Sequence, residues 1–259
     1  MTDTPIDRAH AEMLATPESE RARLSYFERV ADGELFLLLE SEPEGESVTP
    51  QIFDTSDGRY ALAFDREERL TAFAGGAAAY AALSGRNLAT MLNGSGMGLG
   101  LNLGTASEVL ISPDEISWLA GTVESRPVEA QDTPVELTPP QGIPETLVQA
   151  LDAKLATASG LAKVAFLTGA TWSDGRKGHL LSIVDPVPGA EPALANAVNE
   201  ALIFSGIEAG ALDVTFLPGL GQMASQFERV GLRFDLPEAA KATPPSAPGM
   251  DPAIPPKLR

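Results

Sequence analysis

Asp54, Asp57 and Asp65 crowd around one Ser-Asp-Gly-Arg turn (Ser56 to Arg59), and carboxylates at that density are the first place to look for a cation site. A calcium loop needs oxygen ligands at alternate positions ahead of its glycine and a glutamate at its end. Here the alternate position is Ser56, and residue 65 closes an apolar run. The spacing predicts structural roles instead: Asp57 as the turn residue before Gly58, and Asp65 as a strand-ending cap for the next helix.

The glycines at 94, 96, 98, 100 and 104 invite comparison with a phosphate loop. They lack the G-x-G-x-x-G spacing, no Gly-Lys-Ser/Thr follows, and the next element reads as a strand, so no helix N-terminus is offered to a phosphate. Alternate glycines suit a strand against which another element packs closely. Only His10 and His179 supply imidazoles, without a partner at metal-ligand spacing, and cysteine is absent. Disulfides, thiolate catalysis and zinc–sulfur sites are therefore excluded, and no metal or cofactor is expected. No serine sits in a G-x-S-x-G elbow. The 36 acids leave a two-carboxylate hydrolase open as an alternative, because their separation in space is not legible in the sequence.

Two features suit contact better than catalysis. Phe64, Asp65, Phe73 and Tyr80 bracket the Gly75-Gly76 break, and the aromatic rings fit either a core or a shallow groove. Glu40, Glu42, Glu44 and Glu46 alternate in a predicted loop, where they repel one another and favour a basic protein partner. The formal net charge of -18, with no lysine before Lys154, argues against nucleic acid and anionic membrane surfaces. The start lacks a basic n-region and a continuous apolar h-region, and Leu35 to Leu39 is too short to span a bilayer, so a cytoplasmic protein is expected.

These residues need a scaffold. The tetrapeptide Ser-Asp-Gly-Arg returns at Ser173 to Arg176, and each copy leads into an apolar run ending at an aspartate, Asp65 or Asp185, and then a helical pattern. The reading is one ββα unit used twice. Thr4-Pro5-Ile6-Asp7 opens a first helix with Ile6, Ala9, Met13 and Leu14 on one face. A second carries Leu24, Phe27 and Val30 and ends at Asp32-Gly33 as a left-handed cap. Leu35 to Leu39 reads as a central strand, helices are expected near Arg66 to Phe73 and Arg86 to Leu92, and strands at Leu99 to Leu103 and Val109 to Ile111.

Residues 122–142 hold four prolines among polar residues and read as a linker. Domains are expected over 1–121 and 143–236, with a disordered Pro/Ala-rich tail over 237–259. Strands joined by hairpins rather than helical crossovers predict α+β domains with antiparallel or mixed sheets packed by helices.

The run Leu35 to Asp65, then Glu68 to Phe73, Gly-Leu-Gly-Leu-Asn-Leu-Gly (98 to 104) and the helix with Pro113, Ile116 and Trp118 resemble the N-terminal domain of the SseB family, the "enhanced serine sensitivity" proteins. Gly178-His179-Leu180, the Leu194-to-Phe204 helix and Leu212-to-Leu217 are similar to that family's C-terminal domain, in versions found in marine alphaproteobacteria. The resemblance implies a two-domain α+β protein, supplies no catalytic residues, and connects the chain with amino-acid sensitivity through the family name. The expectation is a non-catalytic interaction or regulatory module, with an amino-acid-sensing module as the alternative to set beside the hydrolase.

Overall fold

The computed structural model describes residues 3–42, 48–56, 58–124, 134–206, 212–221 and 224–238. Two helices lead: α1 (Pro5–Ala15) and α2 (Glu20–Asp32). The first sheet is built from β1 (Glu34–Leu38), β2 (Ile52–Thr55), β3 (Gly58–Phe64), β4 (Tyr80–Ser84), β5 (Gly98–Leu101) and β6 (Val109–Ile111), with α3 (Glu67–Ala74), α4 (Gly85–Leu92) and α5 (Pro113–Glu124) between and after them. Its order is β4-β1-β3-β5-β6, with β2 also on β3. The second sheet takes β7 (Pro134–Thr138), β8 (Val164–Trp172), β9 (Lys177–Val184), β10 (Leu212–Leu217) and β11 (Leu232–Asp235), with α6 (Glu145–Thr157), α7 (Glu191–Phe204) and α8 (Ala224–Val230). Its order is β10-β9-β8-β11, with β7 also on β8. Each sheet mixes antiparallel hairpins with one parallel pair, β3 with β5 and β9 with β10, so the architecture is the α+β class expected.

Both Ser-Asp-Gly-Arg turns join antiparallel partners, β2 to β3 and β8 to β9. In each sheet the second hairpin strand then receives a later strand in parallel. The aspartates after these strands diverge, however: Asp185 lies at φ 51 and binds Lys163, whereas the side chain of Asp65 accepts from Thr4 and Arg69. Asp65 caps nothing, because the residue at the α3 N-cap is Arg66 and its side chain makes no cap bond.

Three further expectations change. Gly33 ends α2 in extended conformation, φ -74, because the chain turns straight into β1. Leu14 is exposed. Of the segment read as a linker, residues 122–124 complete α5 and Pro134–Thr138 pair with β8, where Leu137 is buried. Main-chain pairing to an existing strand orders that stretch despite Pro134, which suits the first residue of a strand. Residues 125–133, and the tail beyond residue 238, lie outside the described residues.

The first sheet is covered unequally. Leu35, Leu37, Leu39, Ala61, Ala63, Leu99, Leu101 and Ile111 turn to one face, where Phe27, Leu88, Leu92, Ile116 and Leu119 of α2, α4 and α5 close a continuous core. Gly85, the first residue of α4, passes so near α2 that a Cβ there would sit 1.8 Å from the Val30 carbonyl oxygen, so α4 can lie that close only with glycine. Phe204 of α7 joins this core and meets Trp118 edge-on at 6.2 Å, so the second lobe packs on the same helical layer. Beside it lies a charged cluster. Lys154 of α6 contacts Asp32 at 2.6 Å, Glu200 at 3.0 Å and Glu28 at 3.6 Å, and Arg86 bridges Asp32 and Glu200.

Removing one partner of a buried ion pair strands the rest, which costs about 3–5 kcal/mol. Lys154 and Glu200 are nearly inaccessible. Lys154→Ala is therefore expected to lower the unfolding free energy by about 3–5 kcal/mol in urea titration. The double change Lys154→Met with Glu200→Leu should cost less than the sum of its parts.

Candidate functional site

Among the described residues, the other face of the first sheet has a single short helical cover. Register places Tyr80 and Ala82 of β4, Phe36 and Leu38 of β1, Tyr60, Leu62 and Phe64 of β3, Phe53 of β2, and Leu110 of β6 on this side. On β5 the corresponding positions are Gly98 and Gly100, where a Cβ would collide with Tyr60 and Leu62. Those glycines, which the sequence reading gave to close packing, let the large side chains of β3 spread over their neighbour.

Leu70 of α3 packs on Leu38, Leu62 and Phe64 and covers the middle of the face. Beyond it lie apolar side chains open to solvent: Phe53 is 43% exposed, Leu110 42% and Phe73 41%, and Ala82 is exposed too. Phe36 and Tyr80 are half-buried and meet edge-on at 5.5 Å. Phe73 leans on Phe64 with ring centroids 5.3 Å apart. Of the aromatic residues singled out in the sequence, Phe64 is completely buried and forms the floor, while Tyr80 and Phe73 stand at the surface. Singly exposed apolar residues are ordinary, and Phe53, Ala82, Leu110 and Phe73 are spread over β2, β4, β6 and α3 on one face.

What holds α3 there is a polar clamp. Arg69 donates to both oxygens of Asp7, at 2.8 and 2.6 Å, and to Asp65 at 2.8 Å. Thr4, the α1 N-cap, donates to Asp65 at 2.5 Å and accepts from the backbone N–H of Asp7. Asn102, wholly buried and at φ 54, accepts from the Asp65 backbone N–H and donates to Ser107, whose hydroxyl donates to Asp7 at 2.6 Å. Asparagine is among the residues that tolerate this left-handed conformation. Arg69 holds the Asp7 carboxyl far below the usual carboxylate range, and Asp7 in turn raises the Arg69 guanidinium. Asp65, named from the sequence as a contact residue, is consumed by this clamp.

A cleft of about 520 Å³ opens between the first turns of α1 and α3 and the start of β1. Phe36 and Ile6 supply its apolar wall, and Glu34, Asp65, Glu67, Glu68, Arg29 and Arg66 its charge. The Glu67 carboxylate raises the pKa of the Tyr80 hydroxyl. Cleft and aromatic face meet at Phe36, which Tyr80 flanks edge-on. Glu40 and Glu42 are exposed just past the other end of β1, and Glu44 and Glu46 lie outside the described residues. Among the described residues no group of three or more histidines and carboxylates is placed to hold a metal ion, and no helix is long and apolar enough to cross a membrane.

Sequence reasoning missed Phe36, Phe53, Glu34 and the whole of β4. The continuous apolar run over β1 conceals which residues face outward, whereas Asp65 and Arg69 at i, i+4 were a readable signal of the clamp.

Residues 7–118 match the family model described as SseB protein N-terminal domain, so the lobe that carries the open face and the clamp is similar to that family. Neither the curated proteins nor the solved structures give a match.

The clamp sets an acid limit on stability. The pKa of Asp7 in the fold lies below its ordinary 3.8, so its contribution is fully present above that value and is lost as pH falls through the folded pKa. Glu28 has the opposite sign: burial raises its pKa, so its contribution is largest at acid pH and lost as pH rises through the raised value. Asp7→Asn should lower stability at neutral pH by about 1–3 kcal/mol and flatten the loss below pH 4, read by urea unfolding across a pH series.

Proposed function

We propose that this chain is a non-catalytic interaction module, and that the open aromatic face of its first sheet receives a basic protein partner. The supporting observation is the juxtaposition of exposed Ala82 and half-buried Phe36 and Tyr80 with the carboxylates of Glu34 and Glu67, on a chain of net charge -18, with exposed Phe73 and Phe53 elsewhere on the same face. Aromatic side chains supply most of the energy at such surfaces, and acidic rims steer cationic partners and reject anionic ones. Of the acids that line the cleft, Asp65 is spent on Arg69 and Thr4, whereas Glu34, Glu67 and Glu68 remain at its wall. On this view the second lobe corresponds to the C-terminal domain of the same family, and its α6 and α7 brace the helical layer behind the face.

The cleft favours a second reading. Arginines and glutamates around an apolar wall could take a small zwitterion, which would connect with the amino-acid sensitivity that the family name records. Free L-serine at millimolar concentration should then raise the melting temperature, and charge reversal at Arg66 should abolish the shift.

The interaction reading is tested with a defined probe. An acetylated hexapeptide alternating arginine and valine is titrated into the isotope-labelled full chain. Amide shifts are expected at Glu34, Phe36, Glu67 and Tyr80, weakening as salt rises. The glutamate–valine analogue should leave them unmoved. Equal response to both peptides, or shifts confined to the second lobe, would contradict the proposal.

A further inference from the structure

Among the described residues, the open face ends at a strand edge with no further strand paired to it. β4 is the last strand of the first sheet, with β1 as its one neighbour in the order. Its bonding pattern follows from two flanking bonds: Leu39 N–H donates to the Ala79 carbonyl at 3.0 Å, and Gly85 N–H to the Gly33 carbonyl at 2.9 Å. With Leu37 opposite Ala81 and Leu35 opposite Leu83, those pairs are the hydrogen-bonded ones of the antiparallel ladder. The backbone groups of Tyr80 and Ala82 therefore point away from β1.

Proteins blunt such edges with lysine, proline, bulges or a covering element. β4 reads Tyr-Ala-Ala-Leu-Ser and has none of the side-chain devices. Its register against β1 runs without a shift over five pairs. Small side chains at Ala81 and Ala82 leave the backbone approachable from both faces.

We infer that the partner binds by strand addition: an extended basic segment pairs with the outer edge of β4 through the backbone groups of Tyr80 and Ala82. The inference rests on the reading of the aromatic face as the contact surface and specifies how that surface is used. Alternate residues of the added strand fall on the open face beside Tyr80 and Phe36. There an arginine stem lies over the rings while its guanidinium reaches Glu34 and Glu67. The intervening residues fall on the opposite face beside Ala81 and Leu83, which already pack against the helical core, and so favour β-branched apolar side chains. Charge selects the occupant. A second copy of this chain would bring another net charge of -18 to an edge flanked by Glu34 and Glu67, whereas a cationic strand neutralises both.

The test uses the full chain with the arginine–valine hexapeptide. Hydrogen exchange at the Tyr80 and Ala82 amides is expected to slow roughly tenfold or more on binding, while Ala81 and Leu83, already bonded to β1, change little. Ala82→Pro deletes one outward N–H and leaves the ladder to β1 intact, since proline is tolerated on edge strands. It should weaken the peptide roughly tenfold or more without moving the unfolding midpoint greatly. If the peptide shifts Phe36 and Glu67 but Tyr80 and Ala82 gain no protection, the face reading stands and strand addition is overturned. If the peptide leaves the first sheet unperturbed, both fall. If the unliganded chain sediments as a dimer that Ala82→Pro dissociates, the occupant is a second copy and the inference is wrong.

Discussion

Arg69 carries two carboxylates on one guanidinium, and the arrangement of the first lobe around its open face depends on that pairing. Asp7 arrives from α1, Asp65 from the end of β3, and Arg69 from α3, so three elements meet at one planar cation with 10% of its side chain exposed. A bidentate fork fixes angle as well as distance, which a lysine in its place would not. Leu70, the next residue, then enters the sheet among Leu38, Leu62 and Phe64. One eight-residue helix with one buried leucine covers the middle of the sheet and leaves its margins uncovered. Phe73, a turn further along, rests on Phe64 and keeps much of its ring in water.

The two faces of that sheet divide the labour. One is sealed by α2, α4 and α5 and braced from behind by α7, with Phe204 in the shared core and Lys154 and Arg86 joining the lobes through Asp32 and Glu200. Burying these charges is costly, and a pair of this kind contributes geometry more surely than stability. That packed back fixes the register of β1 and β4, and with it the positions of Phe36, Tyr80 and the β4 edge. Preorganisation of this sort reduces the ordering cost of association.

Much of the scaffold was legible in the sequence because local signals agreed with the final pairing. The capping box at Thr4 and Asp7, the two Ser-Asp-Gly-Arg turns and the leucine spacing of α6 each act over a few residues. What was not legible depends on partners far along the chain. Gly75-Gly76-Ala77-Ala78-Ala79-Tyr80-Ala81-Ala82 contains strong helix formers and poor strand formers, yet β4 is a strand because β1 offers it a ladder. Asp65 looked like a helix cap because the helix begins beside it, but a residue 61 positions earlier, Thr4, and Arg69 claimed its oxygens. The aromatic site was half visible. Phe73 and Tyr80 stood out by type, whereas Phe36 was hidden inside a run of leucines whose two faces become distinct only once the register is known. Glu34 and Glu67 drew less notice than the four glutamates of the loop, since a pair of acids gains meaning from Tyr80 between them.

The central claim is that partner binding happens at the open face and edge of the first sheet. A photoreactive benzoylphenylalanine placed at Phe73 in living host cells tests it most directly, with the same group at exposed Val135 of the second lobe as the comparison. Position 73 is expected to crosslink to a basic protein, through a segment rich in arginine and β-branched residues, and position 135 not to that protein. Crosslinks to the same protein from position 135 alone, or from position 73 only to an acidic protein, would contradict it.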